Sequence, residues 1–169
     1  MKRRIIDLDA PDRFVAGALR GAGGGAFFLQ AARGPRVVTI ALQREQMALL
    51  ADRMLTILDE LERRGLVAIE VGADAVAEQP RLAEPLREEF AVGTLTIAWD
   101  DDGDRVIVEA HAMLFDAGVG ESAPPRERDP ELEEIPDDDP IGPDVLRVRL
   151  TPAMAQRFAR HAGRIAAVG

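Results

Sequence analysis

Short apolar or alternating runs, separated by glycine- and proline-rich breaks, open this chain. Four of them have strand character: Arg4–Leu8, Phe14–Leu19 (FVAGAL), Phe27–Ala31 (FFLQA) and Val37–Leu42 (VVTIAL). The breaks are too short to hold crossover helices, so the pattern predicts antiparallel neighbours. The period then changes. Met47, Leu50, Met54, Ile57, Leu58 and Leu61 recur at steps of three and four, which predicts a helix over Arg44–Arg64 that Gly65 stops. Residues 66–89 have mixed polarity and two prolines and read as a partly ordered connector. Phe90–Trp99 and Arg105–Phe115 flank DDDGD as a hairpin. Val145–Leu150 (VLRVRL) alternates as a half-buried strand, and Thr151–Pro152 opens a last helix with Met154, Phe158, Ala162 and Ile165 as its inner stripe.

The two halves match each other. VVTIALQREQMALLADRM from Val37 lies over VLRVRLTPAMAQRFARHA from Val145. FVAGAL lies over FAVGTL, with Gly17 over Gly93, and FFLQA lies over VIVEA, with Gln30 over Glu109. The expected fold is α+β: a mostly antiparallel sheet built from two pseudo-symmetric βββα units, with the helices packed on one face. A single domain over 1–169 would then comprise a first unit (4–65), the connector (66–89) and a second unit (90–169) that carries an acidic insertion over 116–143.

The charge sharpens this division. The net charge is −9, and the 29 residues from Asp116 to Asp144 hold 11 acids and two arginines, which accounts for all of it. That stretch also holds six prolines and reads as a solvated loop, a docking peptide for a basic partner, or a segment that covers the chain's own arginine-bearing face. The near-neutral remainder has no basic stripe, which argues against nucleic acid as a partner. No 18-residue apolar run is present, so the chain reads as a cytoplasmic protein with no membrane partner. The absence of cysteine excludes disulfides, thiolate metal sites and a cysteine nucleophile.

Little of the sequence looks catalytic. Ser122 is the sole serine and falls in the acidic segment, which leaves no serine triad; acids are plentiful, but no spacing singles out a pair. Gly21, Gly23 and Ala26 satisfy a dinucleotide-binding spacing, but that motif must open a helix, and FFLQA reads as a strand. The glycines are therefore assigned to a hairpin tip. DDDGD aligned on a calcium loop would put Ala98 at the first ligand position, and it too reads as a plain turn.

Alternation does gather one set of polar residues. Glu109 and His111 share a face of their strand, and Arg147 and Arg149 share a face of theirs, opposite the apolar positions. Together these four form a candidate binding surface for a small anion, with Arg147 and Arg149 holding a carboxylate or phosphate and His111 donating a proton. Gln30 is the matching position in the first half. No catalytic or metal-binding residue is assigned. The expected role is a binding or interaction module, an adaptor or regulator, with an unidentified protein partner; self-association is compatible with it. The alternative is an enzyme or sensor of a small anionic metabolite at the polar face.

DRFVAG, FFLQA, VVTIAL with its helix, VGTLTIAWD and IPDDDPIGPDVLRVRLTPAMAQRFARHA, in this order, resemble an uncharacterised domain-of-unknown-function family of high-GC, actinobacterial-type bacteria. Members of that family usually continue into a short cysteine-rich tail similar to a zinc ribbon. The resemblance implies no catalytic residue. It implies no cofactor in this chain and zinc only in such a tail, which is missing after Gly169.

Overall fold

A computed structural model describes residues 4–21, 24–68, 82–84, 86–113 and 142–168. Seven strands and two helices follow one another as β1 (Ile5–Asp9), β2 (Arg13–Gly21), β3 (Gly24–Arg33), β4 (Arg36–Leu42), α1 (Arg44–Arg63), β5 (Glu88–Asp100), β6 (Arg105–Ala112), β7 (Val145–Leu150) and α2 (Pro152–Val168). The fold is α+β, with one mixed sheet in the order β1-β7-β6-β5-β4-β3-β2. Four of its six strand pairings are antiparallel; β1–β7 and β4–β5 are parallel.

The expected elements are present within a few residues, and the expectation of antiparallel neighbours holds for β2, β3 and β4. It fails for β1, which lies parallel to β7 at the other edge of the sheet, Ile5 facing Val145 and Asp9 facing Arg149. Ala10, at a positive φ of 48°, turns the chain out of β1, and its N–H donates to the Arg149 carbonyl instead of to β2. β5 also starts earlier than expected, at Glu88, and pairs through Phe90 and Ala91 with β4.

That topology dictates the shape. β1 and β2 stand at opposite edges, yet only residues 10–12 join them. Three residues reach roughly 10 Å, whereas a flat seven-strand sheet is about 29 Å across its strand axes. The sheet must coil until its edges approach. In agreement, α2 packs against β2 at one edge and also against β6 and β7 near the other. The concave side is apolar on every strand, from Ile6 and Leu8 of β1 through Leu29, Ile40, Val92, Val108 and Val148 to Phe14 and Ala16 of β2. It closes over Met47, Leu50, Met54 and Leu58 of α1 and Phe158 and Ala162 of α2. Phe14 and Phe158 meet with ring centroids 4.3 Å apart.

Local chemistry sets the helix ends. Gln46 accepts from the Gln43 N–H at 2.8 Å, donates to the Val92 carbonyl at 3.1 Å, and so ties the start of α1 to β5. Gly65, at φ 71°, ends α1 in a conformation that favours glycine. Thr151 accepts from the Met154 N–H at 3.3 Å, with Pro152 in the first helical position.

Candidate functional site

The convex side carries the polar residues. Because facing residues in a ladder share a side, strand register places Asp7, Arg147, Glu109 and Thr96 in one row across β1, β7, β6 and β5. Arg147 Nε donates to Glu109 Oε1 at 2.8 Å, and its Nη1 lies 3.6 Å from Asp7 Oδ2. Arg149 Nη2 lies 3.4 Å from the same Asp7 oxygen, and His111 Nε2 lies 3.3 Å from Glu109 Oε2. The side chains of Glu109, His111 and Arg147 are only 11–15% exposed. The hydrogen bond with His111 holds the Glu109 carboxyl below its usual range; partial burial opposes that shift, and Arg147 adds to it.

The four residues singled out in the second half thus do come together. Asp7 was missed. Its partner strand β7 lies 140 residues away in sequence, and IIDLD has no signal that would reveal a parallel pairing. With Asp7 included, two carboxylates meet two guanidiniums, and the charges of these four groups balance. Beside it, Thr96 Oγ1 and Arg149 Nε are buried without a hydrogen-bond partner.

Gln30 does not join that cluster. It lies in a separate row, Val15–Gln30–Thr39–Glu88, across β2, β3, β4 and β5, and is fully buried. Its Nε2 donates to Thr39 Oγ1 and to the Ala83 carbonyl, each at 3.1 Å, and its Oε1 accepts from the Ala83 N–H at 2.7 Å. The amide therefore holds the chain's own connector by its backbone. Leu82 lies on Gly17: a Cβ at residue 17 would sit 2.4 Å from Leu82 Cγ. The side-chain signals for this contact, a glutamine in an apolar strand and a glycine two residues past its facing Val15, are legible only once the register is known.

His161 is partly buried on α2 and its pKa is lowered, chiefly because burial penalises the charged ring; Arg164 adds to this, and the Ala16 carbonyl opposes it. Gly21 and Gly24 face each other at the end of the antiparallel β2–β3 ladder, and a strand, not a helix, follows from Gly24. At DDDGD, Trp99 Nε1 donates to Asp101 and the Asp102 N–H donates to Asp100. No group of three potential metal ligands occurs among the described residues. The acidic insertion, apart from Gly142 and Pro143, lies outside the described residues, as does Ser122. No helix among the described residues is long and apolar enough to cross a membrane.

Comparison with known proteins agrees with the resemblance at the level of family. The chain belongs to the family described as "Protein of unknown function (DUF3090)", which it matches over residues 6–169. No curated protein and no solved structure matches it.

Proposed function

We propose, taking membership of this family as the premise, that the chain is a binding or interaction module, an adaptor or regulator rather than a catalyst. The carrying observation is the closed charge row. Arg147 faces Asp7, Arg149 reaches the same carboxylate, Arg147 also holds Glu109, and Glu109 is stabilised in its ionised form. Groups neutralised by one another on a convex sheet face make a cross-linked surface, in which Glu109, His111 and Arg147 are mostly shielded from water and Asp7 and Arg149 stay partly exposed. They do not make an anion trap or a base with a tuned pKa. In this reading the protein works in the cytoplasm as one domain of two related βββα units. The pairing Gln30–Thr39 corresponds in register to Glu109–Arg147, as the sequence match requires, although Gly17 faces Phe28 while Gly93 lies beside Met113.

A second reading, a sensor or enzyme for a small anion, draws support from the unpartnered Arg149 Nε and Thr96 Oγ1 beside the row. Titration of phosphate and succinate, followed by NMR at Glu109, His111 and Arg149, separates the two. The module reading expects no saturable shift. A saturable shift that disappears in Arg149→Gln replaces it with the sensor. A photo-crosslinker at Val37, which is exposed on the same side of the sheet, should give a discrete protein adduct in the native host.

A further inference from the structure

The convex face of β2–β4 already holds a peptide. Two features hold residues 82–84 there. The first is Gln30, whose side-chain amide pairs with both the N–H and the carbonyl of Ala83. It recognises main chain, with no reference to the Ala83 side chain. The second is Gly17, whose missing Cβ leaves the space that Leu82 fills. Thr39 accepts the remaining proton of the Gln30 amide and fixes its plane. With residues 82–84 in place the amide is fully buried; the bond to Thr39 is the part of its positioning that does not depend on the segment, and it lowers the entropy lost on binding. Backbone recognition by an amide plus one apolar socket is the chemistry of a peptide-recognition site.

We propose that this face is a clamp for a peptide segment that presents a leucine followed by a free backbone N–H and carbonyl, and that residues 82–84 occupy it as a tethered competitor. The proposal rests on the interaction-module reading and supplies the chemistry of the partner: a segment that presents a leucine for the Gly17 socket and, next to it, a backbone N–H and carbonyl for Gln30. The tether gives the chain's own segment an effective concentration in the millimolar range. A free peptide of equal intrinsic affinity therefore binds only weakly to the intact protein, and tightly once the tethered segment is released.

The test uses full-length protein and a fluorescent synthetic peptide of residues 80–86. Ala83→Pro removes the N–H that Gln30 accepts and should free the clamp; Leu82→Glu empties the socket by a second route should the first variant misfold. Anisotropy should show the peptide binding either variant at least about tenfold more tightly than wild type. The Gln30 side-chain NH2 resonances should shift in parallel. Gln30→Leu added to either variant should abolish binding, as should replacing the peptide's leucine with alanine. No saturable binding to a folded Ala83→Pro or Leu82→Glu variant overturns the proposal, as does binding that survives Gln30→Leu. A wild-type dimer that the peptide cannot dissociate also overturns it, in favour of segment exchange between copies. These readings come from β2–β4, whereas the anion titration reports on β5–β7, so either can fail alone.

Discussion

Replacing Gln30 with leucine isolates the Gln30–Ala83 contact with little change in volume. Leucine fills nearly the same space, so the packing term is small. What disappears is three hydrogen bonds, at 3.1, 3.1 and 2.7 Å. At about 1 kcal/mol net for each neutral bond, the loss is roughly 3 kcal/mol while residues 82–84 stay in place with the Ala83 N–H and carbonyl orphaned. If that state costs more than undocking, the segment leaves, both groups return to water, and the global penalty is smaller. Two measurements separate these outcomes. Urea unfolding reports the global change, and amide hydrogen exchange at Ala83 reports the local one. A loss of about 3 kcal/mol would lower the midpoint temperature by roughly 6–12 °C for a chain of this size. Undocking would leave a smaller global change but bring Ala83 exchange close to that of an exposed amide. Should Ala83 keep its protection and stability stay within about 0.5 kcal/mol, Gln30 does not hold the connector, and the clamp falls with it.

Four further outcomes follow from the same structure. Glu109→Ala removes the shared partner of Arg147 and His111 and should cost about 3 kcal/mol by urea unfolding, near the lower end for a shielded ion pair that loses one member; a cost below about 0.5 kcal/mol would show that water reaches Arg147 freely. The shifts of Glu109 and His161 both make the fold less stable in acid. Glu109's folded pKa is lowered, so its contribution is complete above the ordinary carboxyl range and is lost as pH falls through the folded value. The His161 pKa is also lowered, so its contribution is complete above about pH 6.5 and is lost as pH falls from there to the folded value; His161→Gln should flatten the stability profile in that upper window and leave the carboxylate arm unchanged. Gly163→Ala should stabilise by roughly 0.5–1 kcal/mol, because the added Cβ meets Ala51 Cβ at an ordinary 3.8 Å and a helical glycine is removed. A lowered midpoint temperature would mean that α1 and α2 are already in close contact there. Thr151→Ala should cost about 1 kcal/mol through the lost cap on the Met154 N–H, read by thermal unfolding.

The local order was legible in the sequence because it depends on neighbours in sequence. Period-two runs became β2–β7, the Met/Leu stripe became the inner face of α1, and Thr151–Pro152 began α2. The glycine run, which has the spacing of a nucleotide loop, could be assigned to a hairpin by the strand that follows it. Alternation also placed Glu109, His111, Arg147 and Arg149 on one side of the sheet, since the side-chain period is fixed by the pleat.

What no window of sequence contains is which strands pair and what lies over them. β1 looked like a neighbour of β2, yet it went to β7 because Ala10 turns the chain and the sheet coils far enough to bring both edges together. That choice delivered Asp7 to Arg147 and turned an expected cationic face into a neutral row. Gln30 was expected as the first-half counterpart of Glu109; tertiary structure placed it two strands beyond β5 and gave it Ala83 as a partner. Residue type and spacing therefore determined the elements and the sides of the sheet they present. Pairing register and coiling, set by contacts between residues up to 142 positions apart, decided which charges meet and which face holds residues 82–84.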